Sequence, residues 1–278
     1  MDSAIHMLRT GRRGALFEVN MGVRDLSASL QRLGLAWSLA WHDIVSRYRG
    51  SILGPFWITL SMGLMVGGIG LLNARLFKTS VHDFIPFVAV GIVFWGMIAQ
   101  TIIEGCDTFV AAAGILSQTS LPMFTFVWRV VLRNLINLAH NFVIILGVLI
   151  YFGFWRTMNL PVAVLGLGFL VLNVAWASML MAIASARFRD VPQIVISVMQ
   201  LGMFMTPVFW NPATLGASAH NYLMFNPFYP MLEAVRAPLL GVHTAPHTYS
   251  FLAVMGLVGW AITFTVFTRT RRRIVHYL

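Results

Sequence analysis

The residues able to do chemistry in this chain are few, and most of them are basic. Only one lysine, Lys78, and one cysteine, Cys106, occur among its 278 residues. No Gly-x-x-x-x-Gly-Lys-Ser/Thr phosphate loop is present, so the chain is not expected to hydrolyse ATP by that route. His-Glu-x-x-His, a nucleophile elbow and paired carboxylates are missing as well. His220, His243 and His247 share one segment, but their spacing matches no metal motif, and they read as structural. The single cysteine excludes both an internal disulfide and a Cys-based metal site. Membrane acyl- or glycosyltransferases need acidic or histidine clusters, so transport or scaffolding fits this inventory better than catalysis.

What remains is a small set of charged and polar groups set against apolar sequence. Arg129, Arg133, Asn137 and either His140 or Asn141 fall on one stripe at helical spacing. Polar groups that deep in an apolar run rarely face lipid, because they lack a water partner. The stripe reads as hydrogen bonding between helices or, alternatively, as a polar translocation path, with Trp57 at the foot of the first span. Glu104 and Asp107 lie one turn apart at the start of a polar 104–122 connection, which is long for a helical bundle. Arg187, Arg189 and Asp190 occupy a tight link, where Asp190 can cap the helix that follows and pair with an arginine.

The elements that position these groups are membrane helices. Apolar residues make up 58% of the chain and charged residues 10%, with a mean hydropathy of +0.79. A soluble domain of this size cannot hide that much apolar surface. The formal charge of +10 comes from arginines set between apolar spans, which argues for topology and against nucleic acid. Arg9, Arg12, Arg13 and Arg24 are not followed by a short apolar core, so no cleavable signal is expected and insertion falls to the first span.

Residues 1–35 read as a polar cytoplasmic tail without a clear period, and 36–278 as one permease domain. Trp37, Trp41, Ile44, Val45 and Tyr48 then form one helical face, with Asp43, Arg47 and Arg49 on the other side. Gly50, Gly54 and Pro55 break that helix before an uncharged run begins at Trp57. The fold expected is therefore an all-α polytopic membrane protein with an amphipathic helix at the membrane interface and six transmembrane helices. The spans fall at about 57–77, 84–103, 125–152, 161–185, 191–210 and 251–268. Gly63 and Gly67 allow close helix packing in the first. The third, at about 42 Å, exceeds the hydrocarbon core, so its Arg129 and Arg133 end should project into the cytoplasm.

Pro207 and Trp210 mark the end of the fifth span at the interface. Residues 211–250 are apolar but broken by prolines, and Asn226 with Pro227 can start a helix there. They read as short re-entrant helices on the outer side, between spans five and six. With both termini cytoplasmic, 15 basic residues lie inside and four outside: Arg75, Lys78, Arg156 and Arg236.

Several motifs resemble one known family. Residues Arg47 to Trp57, the Ala186 to Val191 turn, Thr206-Pro207-Val208, and Asn226-Pro227 followed by Arg236 and Leu239-Leu240-Gly241 look like polysaccharide-exporting ABC transporter permeases. The match runs from about Trp37 to the end of the chain. It implies a homodimer bound to two ATPase subunits that carry the ATP and Mg, leaving this chain without a cofactor. The implied cargo is a lipid-linked glycan such as O-antigen, capsule or exopolysaccharide, crossing a bacterial inner membrane.

The resemblance also assigns provisional roles. ATPase coupling would fall to Trp41, Asp43, Arg47, Tyr48, Arg49, Glu104, Asp107, Arg187, Arg189 and Asp190. An outer gate would use Pro207, Trp210, Asn226, Pro227 and Arg236. A small-lipid or drug exporter of the same class, and a membrane-embedded enzyme or scaffold, are the competing readings.

Overall fold

Long apolar runs bounded by glycine, proline or polar links form helices here, and the break residues set where each one ends. The computed structural model describes residues 2–54, 56–76, 80–212, 222–223 and 225–277. Pro55, Phe77, Lys78 and His220, together with most of 213–224, lie outside the described residues. Helix α1 spans Asp2–Gln31, α2 Leu33–Arg47, α3 Phe56–Leu76 and α4 Val81–Cys106. Two short helices, α5 (Thr108–Ala111) and α6 (Ala113–Gln118), lead into α7 (Met123–Tyr151). Then come α8 (Leu160–Arg187), α9 (Val191–Met205), α10 (Phe228–Leu239) and α11 (Pro246–Tyr277). No strand occurs among the described residues.

Four of these helices, α4, α7, α8 and α11, are long and apolar enough to cross a bilayer. In α4 the apolar window is 83% buried within the chain, against 33% in each of the others. Helix α4 is therefore the central post, and the remaining three turn much of their apolar surface outward. Its neighbours are α3, α7, α8, α9 and α10, while α8 packs on both α10 and α11. The main core gathers around Val88, Ile98, Ile145, Leu170 and Leu232.

Several boundaries differ from expectation for identifiable reasons. The 1–35 segment is helical rather than an irregular tail, and it is docked. Asp25 accepts hydrogen bonds from the backbone N–H of Met123 and of Phe124, both at 3.2 Å, satisfying two open donors at the start of α7. The 104–122 connection is not a solvated loop: Phe109, Leu116 and Phe124 are buried in a second core with Met179 and Phe267. Helix α9 stops at Met205 rather than near Trp210, because Thr206 precedes a proline and is extended. Its 15 residues give about 22 Å, less than a hydrocarbon core. Conversely, α11 runs through Arg269–Arg273, and its arginines turn to α1: Arg271 approaches Asp25 at 3.4 Å and Arg272 approaches Glu18 at 2.7 Å.

Close helix approach depends on glycine at a few positions. A Cβ on Gly166 of α8 would lie 2.1 Å from the carbonyl oxygen of Ala234 in α10, so the two backbones touch there. Nothing lies within 4 Å of such an atom on Gly168, two residues on. Gly166→Ala is expected to destabilise the protein by about 1–3 kcal/mol through overpacking. Gly168→Ala should be neutral or stabilising by about 0.5–1 kcal/mol, from helix propensity. Thermal unfolding of the two purified variants in detergent, side by side, checks both.

Candidate functional site

Two guanidinium groups sit four residues apart on α7, and like charges at that spacing repel. Arg129 and Arg133 are held by carboxylates from two other helices. Asp43 of α2 accepts from Arg129 through a bidentate contact, with Nε at 2.8 Å, and from Arg133 Nη1 at 2.8 Å. Glu104 of α4 accepts from Arg133 Nη2 at 2.7 Å and from Asn134 Nδ2 at 2.8 Å. Arg47 approaches the other Glu104 oxygen at 3.7 Å from a more open position. The four central side chains are only 14–24% exposed, so water screens them poorly. A cavity of about 210 Å³ opens beside the cluster, lined by Arg47, Glu104, Asp107 and both α7 arginines.

Local sequence explains why α2 lies against α7. Ala36, Ala40 and Ile44 are buried, and the small residues let the helix approach closely enough for Asp43 to reach the arginines. The expected single apolar face is thus divided. Ile44 and Tyr48 pack on Ile136 and Leu132 of α7, whereas Trp37, Trp41 and Val45 remain about half exposed on the outward side. Asp43 joins the protein-facing side rather than a solvated one. Arg49 is exposed, and the chain then turns through Gly50 and Gly54, whose φ angles of 84° and 54° disfavour any residue with a Cβ.

Burial pushes the Asp43 carboxyl up, but Arg129 and Arg133 outweigh it and hold the group below its ordinary value. At Asp25 the balance is reversed. Burial raises that carboxyl despite the Phe124 and Met123 amides and Arg271.

The other anticipated residues fall into three places. In the 186–190 link, Asp190 occupies the cap position of α9, but its side chain makes no capping hydrogen bond. Its neighbour Arg187 instead stacks over Phe188 at 5.1 Å and Tyr277 at 6.0 Å, while Arg189 and Asp190 are exposed. The expected Asp190 cap and charge pair is therefore corrected: the exposed carboxylate makes neither the capping bond nor an ion pair with an arginine among the described residues.

On the opposite face of the bundle, Asn226 accepts from the backbone N–H of Phe228 and of Tyr229 and donates to Thr206, capping α10 as expected next to Pro227. Arg236 is 1% exposed, pairs with Glu233, donates to the Pro207 carbonyl and lies 3.9 Å from the Phe87 ring centre. Trp210 donates to the Phe204 carbonyl at 3.0 Å.

Along α7 the members of the stripe have different surroundings. Asn137 and Asn141 share a cavity with Trp57, whereas His140 bonds the Ile136 carbonyl at 2.8 Å. Sequence reasoning missed Asn134, Gln100 and the docking role of Asp25. Asn134 was findable, since 134, 137 and 141 share one helical face, but Asp25 pairs with residues about a hundred positions away.

The described residues thus form a helical body with four helices long and apolar enough to cross a membrane, held together by charged groups between helices. The chain belongs to the ABC-2 type transporter family, which it matches over residues 34–240. It is similar to the O-antigen export system permease protein RfbA of Myxococcus xanthus, at 27% identity over 237 residues, covering 84% of this chain and 88% of that protein.

Asp43→Asn leaves two buried arginines short of a counter-charge and should cost about 1–3 kcal/mol at neutral pH. A carboxyl whose folded value lies below the unfolded one, about 3.9, contributes fully above that pH and loses its contribution as pH falls through the folded value. The gap between Asp43→Asn and the parent should therefore begin to narrow below about pH 4 and go on narrowing as the pH falls towards the lower folded value. At Asp25 the sign is opposite: the raised carboxyl means that parental stability is gained as pH falls through the folded value. The gap to Asp25→Asn, which loses one of the two oxygens that accept from the Met123 and Phe124 amides, should therefore widen rather than narrow. Unfolding midpoints measured from pH 7 down to about pH 3.5 check both signs.

Proposed function

We propose that this chain is the membrane permease subunit of an ABC exporter that moves a lipid-linked polysaccharide, of O-antigen, capsule or exopolysaccharide type, out of the cytoplasmic leaflet of a bacterial inner membrane. It works as two copies with two separate ATPase subunits, which bind the ATP and Mg. Family membership supports transport, and the name of the Myxococcus xanthus relative supports the cargo class. In this reading α3 and α9 join the four long helices as spans one and five, giving six crossings. Both termini are cytoplasmic, as the arginine bias favours. Helix α10 belongs to the outer re-entrant part, with Arg236, Pro207, Asn226, Pro227 and Trp210 as its lock.

The observation that carries the mechanism is the cluster joining Asp43, Glu104, Arg129 and Arg133. It ties the interface helix α2 to α7 and to the end of α4, where the α5–α6 connection begins. An ATPase that pushes on α2 or on that connection through Glu104, Asp107, Arg187 and Arg189 displaces α7 and α4 together. The half-exposed Trp37 and Trp41 suit the headgroup region, so α2 slides along the bilayer surface rather than leaving it.

Cells lacking the chain are expected to accumulate the lipid-linked glycan inside and to lose it from the surface. The double variant Asp43→Ala with Arg47→Ala should insert, bind its ATPase partner at parental ratio and still export at least about tenfold less, the equivalent of about 1.4 kcal/mol in coupling. Parental export by that variant at matched protein level would reduce α2 to a membrane anchor.

A further inference from the structure

Beside the ion cluster, between α3, α4 and α7, lies a second cavity of about 410 Å³, within the size range of small-molecule sites. Its lining is unusual for helices of such apolar sequence. Gln100 of α4 and Asn134, Asn137 and Asn141 of α7 converge on it, with the Trp57 ring from α3 and Arg47 at its edge. Asn141 is 7% exposed, yet its Oδ1 accepts no hydrogen bond among the described residues. An unmade bond of this kind is expensive in an apolar setting, and a carboxamide is retained there only if something else meets it.

We infer that this cavity binds a sugar ring of the cargo at its lipid-proximal end, an assignment that rests on the export function proposed above. Carboxamides both donate and accept, which matches neighbouring hydroxyls that do the same. An aromatic ring supplies an apolar face for the C–H side of a sugar, and Arg47, with 55% of its side chain exposed, can meet an attached phosphate. A purely apolar cargo leaves the Asn141 Oδ1 unsatisfied. The position also connects recognition to the cluster: Asn134 and Arg47 line this cavity and both contact Glu104, at 2.8 and 3.7 Å. A ligand that draws on either residue therefore alters the restraint on Arg133.

The test uses the full transporter, permease with its ATPase partner, in lipid nanodiscs. The probes are a synthetic polyprenyl-pyrophosphoryl N-acetylhexosamine, the same lipid without sugar, and phosphatidylglycerol. The parent should bind the sugar-bearing probe at least about tenfold tighter than the sugarless one, a discrimination typical of paired polar groups. Asn137→Leu and Asn141→Leu should each erase most of that ratio. Asn141→Leu should also melt at or above the parental temperature, because it removes an unpaired buried polar atom, whereas a structural role predicts a lower melting temperature.

Parental discrimination in both variants overturns the inference and leaves a packing defect, and equal binding of the two probes by the parent overturns it as well. If phosphatidylglycerol is the ligand that both variants lose, the site belongs to a membrane lipid and not to cargo. Normal surface glycan in cells lacking the chain would instead defeat the export function itself, so the two failures are separable.

Discussion

Two arginines one turn apart near the start of a long apolar helix impose a constraint that the rest of that end of the bundle obeys. Arg129 and Arg133 cannot both be desolvated without counter-charges. The chain supplies Asp43 and Glu104 from different helices instead of placing acids on α7 itself. That choice determines geometry. Helix α2 must lie along α7 with its alanines inward, and the backbone must then reverse through Gly50 and Gly54 to begin α3. The end of α4 must stand close enough for Glu104 to reach across. Ion pairs of this burial contribute little net stability over an apolar substitute, but they are intolerant of misalignment, so their value lies in register.

A second charged pin holds the opposite end of the same post. Phe87, near the start of α4, lies under the buried Arg236, which also bonds Glu233 and the Pro207 carbonyl. Glu104, near the other end of α4, belongs to the first cluster. The most buried helix of the molecule is thus clamped at both ends by an arginine network, with the packed core of Val88, Ile98 and Leu170 between. A helix held this way moves as a rigid strut, because a packed interior does not deform continuously. In the proposed export cycle, a displacement applied near Glu104 would reach the Pro207 region without any need for unwinding along α4.

Much of this was legible in the chain. Hydropathy marked α3, α4, α7 and α8 to within about three residues but left α11 well short at both ends, and the glycine break after Arg49 was plain. The short turn at residues 188–190 and the Asn226 cap were also legible, because both are local chemistry. What escaped was long-range. Asp43 looked like part of a solvated face, since nothing in a helical wheel shows that α7 brings two arginines to it. The 104–122 stretch looked polar by composition, although Phe109 and Leu116 were the residues that decided its packing. The α1 helix was hidden because its anchor, Asp25, acts on the amides of Met123 and Phe124 and on Arg271, partners with no sequence signal at all.

The same physics orders the polar groups along α7. Reading along it from its N-terminal end, the helix carries Arg129 and Arg133, then the carboxamides of Asn134, Asn137 and Asn141, then apolar residues to Tyr151. From Arg133 to Asn141 is about 12 Å of helix rise. Desolvation of a full charge grows costly with depth, whereas a neutral amide costs less and can be met by any donor or acceptor. Charges therefore stay at the edge, where their task is to hold helices in register, and amides occupy the depth, where they can meet a neutral ligand. Asn134 stands at the boundary and belongs to both sets, bonding Glu104 on one side and lining the inner cavity on the other. The structural restraint and the polar cavity are thus joined through a single side chain, and neither can be altered without the other responding.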